Sequence, residues 1–323
     1  MARSPDLLGV RSKIKGKKGK ERIDASDVQK KMEASPYRQR YSLRSLARVT
    51  GASASTLCRM RKRNDIVATT NAIKPLLTDD NKRARMAFIV RFVNEATLLY
   101  SPMHDVIHLD EKWFYMTRAS QRIYLSPNEP PPLRQCKSKR FIGKVMFLAA
   151  VARPRMDAAK NCWFVGKLGI WPFVERKVAQ RASKNRPAGT IETKPVTSVT
   201  RAEYVAMLLG KVLPAIATKF PRRSQCDIIY LQQDNAKPHV KEDDPVVSEA
   251  GRQLRLDLRV LCQPSNSPDF NVLDLGYFRS IQTLQHEEAP SSYDELVSAV
   301  EKSFSDLKIE KLDDVFLSLQ SIN

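Results

Sequence analysis

Two aspartates stand where an ionised carboxylate is costly. Asp110 lies inside the apolar run Val106–Tyr115 (VIHLDEKWFY), and Asp234 comes just after the compact apolar run 228–232. A charged carboxylate in such a place needs a neighbouring Arg, a set of backbone amides or a metal ion. For either residue alone the first two serve as well as the third; two such residues on adjacent strands tilt the balance toward a metal. A third acid, Asp274, falls in the first turn of a helix that Asp269 or Asn271 can start, on a face with Tyr277, Phe278 and Ile281. An acid there is also an ordinary dipole-favoured residue, so its role depends on the other two. Five cysteines, odd in number and scattered, fit neither a disulfide framework nor a zinc site, and four histidines make a His-based metal site a poor reading. Carboxylate oxygens remain, and they suit hard ions such as Mg²⁺ or Mn²⁺.

The charge balance names a class of partner. Lys and Arg number 55 against 35 Asp and Glu, a formal charge of +20. Residues 1–64 hold eighteen of the cations and five of the acids, so +13 sits on the first fifth of the chain. Clustered Lys and Arg bind polyanion phosphates with release of counterions. The densest stretch runs from Arg11 to Arg22 and includes Lys17, Lys18 and Lys20. Such a run also fits a solvated tail, a linker or a nuclear-import signal, and the nucleus is the compartment expected.

Three short helices should follow. Ser26 can cap one through Ala34 with Val28 and Met32 on one face. A second from Ser42 carries Leu43, Leu46 and Ala47 inward, with Arg44 among its polar residues, and breaks at Gly51. Ser53 can cap a third, whose Leu57 and Met60 face inward while Ser55, Arg59 and Lys62 face out together. Any small helical bundle could produce this pattern; joined to the +13 charge it describes a helix-turn-helix presenting Ser55, Arg59, Lys62 and Arg44 to DNA.

At 323 residues the chain is long enough for about two domains, 42% of it is hydrophobic, and no apolar run approaches the roughly 18 residues that span a bilayer, so no membrane partner is expected. The expected organisation is a basic arm over 1–24, the helix-turn-helix over 25–65, a linker and connecting helix over 66–100, and a second domain over 101–323 with an insertion at about 153–200. Thr78 should cap the connecting helix, running from Asp79 to about Leu99 with Met86, Ile89, Val90 and Val93 as its apolar stripe. Strands are expected at Val106–Tyr115, 121–125 and Lys144–Ala152, then a hairpin holding Trp163 and Trp171, a helix over 201–220, strands at 228–232 and 258–262, and helices from Asp274 onward. That order makes an α/β layer fold.

These residues resemble a known family. HLDEKWFY around Asp110, LQQDNAKPHV around Asp234 and NSPDFNVLDLGYFRSIQ around Asp274 look like the three catalytic blocks of mariner-like transposases, closest to the plant and oomycete branch, in which 39 residues separate the second and third aspartates as they do here. RSLARVTGASASTLCR, NAIKPLLTDDNKRARMAF, GKLGIWPF and NRPAGTIETKPVTSV extend the likeness along nearly the whole chain. The resemblance implies a ribonuclease-H-like catalytic domain, preceded by a small all-α helix-turn-helix domain. It further implies that Asp110, Asp234 and Asp274 are catalytic and hold two divalent ions, Mg²⁺ or Mn²⁺, for in-line phosphoryl transfer. Its substrate would be double-stranded DNA, with terminal inverted repeats read by the helix-turn-helix, a TA target and a homodimer joining two ends.

Asp269, with 34 residues between it and Asp234, matches the spacing of other mariner branches, but the SPD-x-N block puts the metal carboxylate five residues further on, at Asp274, leaving Asp269 as a loop or cap residue. Glu111 points to the opposite side of the strand from Asp110 and reads as structural. Lys237 and His239 could contact phosphate or stabilise their loop. Family members usually carry two helix-turn-helix units and further C-terminal helices, so a truncated or decayed copy is one reading the resemblance leaves open. The alternative function is a catalytically inactive or domesticated sequence-specific DNA-binding protein; a structure-selective nuclease is a weaker third.

Overall fold

The computed structural model describes residues 23–69, 76–118, 120, 124–126, 128–133, 135, 138–182, 187–222, 224 and 227–322. Lys17, Lys18, Lys20 and the rest of the arm up to residue 22 lie outside the described residues, as does most of the strand expected at 121–125. The chain divides into two units, Met1–Lys74 and Pro75–Asn323.

Side-chain caps define the helices of the first unit. Asp24, rather than the expected Ser26, starts α1 (Ala25–Glu33), its carboxylate accepting from the Ser26 backbone N–H at 3.2 Å; a negative charge suits the positive end of a helix better than a hydroxyl. Ser42 forms a capping box with Ser45 at the start of α2 (Leu43–Thr50), and Gly51 ends it at φ 74°, a left-handed conformation that glycine adopts at little steric cost. Ser53 starts α3 (Ala54–Lys62) by accepting from Thr56 N–H. Val28, Leu46, Ala52, Leu57, Met60 and Ile66 close over one another as the core.

In the second unit α4 (Asp79–Val90) begins at Thr78 as expected, but it ends at Val90, and Val93 pairs with Tyr100 in an isolated bridge. Its inward face also differs from the expected stripe. Phe88 is buried and stacks on Phe270 at 5.4 Å, with Ile89 and Phe92 alongside, whereas Met86 and Val90 are exposed. The helix has turned to bury two aromatic rings, which remove more apolar surface from water than Met and Val do.

A five-stranded sheet follows. It is built from β1 (Val106–Tyr115), β2 (Lys144–Ala152), β5 (Lys167–Pro172), β8 (Ile228–Gln233) and β9 (Asp257–Cys262), in the order β5-β2-β1-β8-β9. β2 runs antiparallel to β1 and β5, while β1, β8 and β9 are parallel. β3 (Arg155–Asp157) and β4 (Cys162–Phe164) form one small hairpin, β6 (Val174–Val178) and β7 (Ile191–Pro195) another. The stretch read as an insertion therefore supplies a strand of the central sheet. Trp171 lies on β5, paired with Leu148 of β2, not in a hairpin with Trp163. Only six residues long and flanked by polar hairpins, β5 gave no separate signal.

Residue alternation assigns the two faces. Val106 and Phe114 of β1 pack with α8 (Phe278–Glu287), α9 (Tyr293–Asp306) and α10 (Ile309–Ile322), while Ile107 and Leu109 pack with α5 (Arg201–Met207), a π-helical turn (Leu208–Val212) and α6 (Leu213–Lys219). α7 (Pro245–Gln253) joins β8 to β9. Among the described residues no helix is long and apolar enough to cross a membrane.

Leu57 is fully buried at the centre of the helical unit. Leu57→Ala should destabilise that unit by about 2–5 kcal/mol, read as an earlier helical transition in urea with the transition of the sheet unit unmoved.

Candidate active site

Strand register aligns the first two aspartates. The parallel ladder between β1 and β8 ends at the pair His108↔Gln232. Asp110 lies two residues further along β1, on the same face as that pair, and Asp234 follows directly on the end of β8, two residues beyond Gln232. The third acid arrives on the helical side of this face. Asn271 donates from Nδ2 to the Leu109 carbonyl at 3.0 Å and its Oδ1 accepts from Leu273 N–H, which fixes the π-helical turn Leu273–Tyr277 against β1 and sets Asp274 at the rim. Tyr277, Phe278 and Ile281 are buried beneath while Asp274 is exposed, so the face they were expected to share is split between core and site.

Each outer acid has turned to a cation. Lys112 Nζ sits 2.9 Å from Asp274 Oδ1. His239 places Nδ1 2.6 Å from Asp234 Oδ1, and its Nε2 lies 3.0 Å and 3.1 Å from the two Glu111 oxygens. Glu111 points to the opposite face from Asp110, as alternation requires, yet through His239 it is joined to Asp234. Carboxylates only accept, so both ring nitrogens must donate and His239 is an imidazolium. Burial by itself would lower its pKa, but its hydrogen bonds to Asp234 and Glu111 outweigh that and push it up to about 10. Burial likewise raises Asp234, but the hydrogen bond and positive charge of His239, together with the Ala236 backbone N–H, outweigh it and hold this carboxyl below its ordinary value. Tyr204 stacks on the imidazole at 4.4 Å and donates to Gln233 Oε1 at 2.8 Å, while Gln233 Nε2 donates to the Val240 carbonyl at 2.6 Å. Arg201 donates to the His239 carbonyl at 2.7 Å and pairs with Asp244.

Of the two residues named as phosphate contacts, His239 is thus a buried brace and Lys237 is exposed. Asp269 receives both Arg85 guanidinium nitrogens, at 2.8 Å and 2.5 Å, and Arg85 lies over Phe270. That pairing suits a loop anchor. Ser55, Arg59, Lys62 and Arg44 are all exposed in the first unit. The spacing of acids gave no sign of Lys112, Asn271 or Tyr204. Lys112 was within reach of strand alternation, being two residues from Asp110 on the same face.

Charge collects on Asp110. Burial, then the negative charges of Asp274, Glu111 and Asp234, push its carboxyl up to about 8. A hard divalent cation is the group such a donor set fits, and Lys112 on Asp274 shows that a cation is already drawn to it. The three aspartates are not, however, closed into a cage. Among the described residues no three His, Cys, Asp or Glu side chains are placed to hold a metal ion together. Like charges separate, and here each outer carboxylate leans to Lys112 or His239.

No family model matches the chain, and no curated protein matches it. Solved structures do. The chain is similar to the Mos1 transposase paired-end complex with left transposon end, at 17% identity and a TM-score of 0.60 over 94% of this chain and 77% of that one. It is similar to the Mos1 paired-end complex with Mg, at 19% and 0.59 over 97% and 80%, and to that with Mn, at 17% and 0.59 over 94% and 78%. At these identities the likeness is one of fold: an α/β ribonuclease-H-like domain after an all-helical N-terminal unit.

Unfolded, Asp110 ionises near 3.8; folded, near 8. Between these values the unfolded chain has released a proton that the folded chain keeps, so this group makes stability fall as pH rises, on the order of 1 kcal/mol per pH unit. In EDTA, Asp110→Asn should flatten the decline from pH 5 to pH 8 measured by urea unfolding. Identical slopes for the two proteins would contradict this electrostatic picture.

Proposed function

We propose that the chain is a mariner-type DNA transposase that cuts transposon ends and joins them to target DNA. The observation that supports this most is the negative charge converging on Asp110 from Asp274, Glu111 and Asp234, just past the end of the parallel β1–β8 ladder, in a fold similar to that of Mos1 transposase. The Mos1 complexes hold a transposon end, and two carry Mg or Mn. By that likeness this chain acts on double-stranded DNA with Mg²⁺ or Mn²⁺. Asp110, Asp234 and Asp274 would hold two such ions. Bound there, the ions supply positive charge to the attacking and leaving oxygens of a phosphoryl transfer.

The rest is work for the chain's own groups. Asn271 fixes the turn that bears Asp274 against β1. Lys112 must release Asp274 when a stronger cation takes that carboxylate, and its ammonium is then free for a phosphate oxygen nearby. The Phe278 ring centroid lies 5.5 Å from Lys112 Nζ, within reach of a cation–π contact. In the first unit Arg59, Lys62 and Ser55 on α3 enter the major groove of the terminal inverted repeat, with Arg44 and the arm residues Lys17, Lys18 and Lys20 on the phosphates. Two copies bring two ends together, TA is the target, and the nucleus is the place of action.

The test is a labelled duplex carrying the terminal repeat, incubated with protein and Mg²⁺ or Mn²⁺. Wild type should nick at the repeat boundary and Asp234→Ala should lose cutting by at least about a thousandfold while still shifting the duplex in a gel. Arg59→Ala should instead weaken the shift by about 1–3 kcal/mol. Equal nicking by Asp234→Ala would overturn the catalytic assignment, and specific binding without any metal-dependent product would favour an inactive DNA-binding protein.

A further inference from the structure

The Glu111–His239–Asp234 chain crosses the sheet. Asp110 is on the face of β1 toward α8–α10 and Asp234 follows the end of β8, whereas Glu111 projects from β1 to the α5 side, where Tyr204 and His239 are buried. His239 comes from the loop just after β8 and touches both carboxylates. It is confined on every side. Glu111 holds Nε2 through both oxygens, Tyr204 covers the ring at 4.4 Å, Arg201 grips its carbonyl, and Nδ1 also lies 3.1 Å from the Asp234 carbonyl. Asp234 Oδ1 takes this imidazole and the Ala236 backbone N–H at 2.9 Å, which leaves Oδ2 for another partner.

The geometry points to His239 and Glu111 as positioning residues: Glu111 orients His239 from the far face of the sheet, and His239 fixes the rotamer of the Asp234 carboxylate, presenting its free oxygen to a divalent cation. The inference rests on the proposed metal chemistry and adds to it two residues that touch neither DNA nor metal. A carboxylate free to rotate about its χ torsions must lose that freedom on binding; one already held does not. Groups that orient a ligating side chain in this way typically contribute ten- to a hundredfold in metal affinity. Glu111 is adjacent in sequence to a proposed ligand, but its contribution travels the long way, through a loop more than a hundred residues distant.

The measurement is Mn²⁺ affinity of the DNA-free full chain by electron paramagnetic resonance, beside melting temperature in EDTA. His239→Gln and Glu111→Ala should each weaken Mn²⁺ binding ten- to a hundredfold. Glu111→Gln, whose amide oxygen still accepts from His239 Nε2–H, should stay within about threefold of wild type. Because the two act as a unit, the double variant His239→Gln with Glu111→Ala should be no weaker than His239→Gln. In cleavage assays the single variants should require more Mn²⁺ for half-maximal rate, with the saturated rate changed far less. Wild-type Mn²⁺ affinity in both His239→Gln and Glu111→Ala would overturn the inference, leaving the pair a loop brace that only moves the melting temperature. Fully additive losses in the double variant would overturn the coupling of Glu111 through His239. Absence of Mn²⁺ binding by wild type itself would remove the proposed function, and this inference with it.

Discussion

Negative charge gathered where the parallel ladder of β1 and β8 ends is the constraint that organises this protein. Asp110 feels Asp274, Glu111 and Asp234 at once while largely withdrawn from water, and no arrangement of the fold relieves all three. The structure answers with cations of its own. Lys112 takes Asp274, and His239 bridges Asp234 to Glu111. Buried carboxylates left without such partners would be protonated or would open the fold.

Rigidity around the acids follows from where the ladders stop. β1 and β8 are in register up to His108 and Gln232, so the aspartates two residues on inherit their alignment from backbone hydrogen bonds. Asn271 ties the third element to the same strand, and Gln233, Tyr204 and Arg201 fix the loop from Asp234 to Val240. Side chains that hold the acids thus come from β1, β8, α5 and the turn before α8. An active centre of proposed transposase type gains from this, since carboxylates already in place need little reorganisation when cations and substrate arrive.

Much of this was legible in the residues, and the gaps have physical reasons. β1, β2 and the strand before Asp234 could be read because they are apolar runs bounded by turns, and α2 and α3 because Ser42, Ser53 and Gly51 mark their ends. β5 was hidden, being short and set among polar hairpins, and α4 was given the wrong face because its periodicity allowed either stripe until Phe270 chose Phe88. The alternation of β1 correctly separated Glu111 from Asp110. What alternation cannot show is a contact made past the end of a strand, so the tie from Glu111 through His239 to Asp234 is visible only in three dimensions. Lys112 on Asp274 is similar: sequence places the lysine on the right face, but only the packing of the turn Leu273–Tyr277 brings the pair together.

The central claim is that three separated acids serve one pair of cations, and the most direct measurement is a crystal structure of the chain grown with Mn²⁺, with anomalous scattering used to locate the ions. The account predicts two anomalous peaks roughly 3.5–4 Å apart, Asp110 between them, Asp234 and Asp274 on either side, and Lys112 withdrawn from Asp274. Saturating Mn²⁺ with no peak at these carboxylates, and Lys112 still on Asp274, would contradict it.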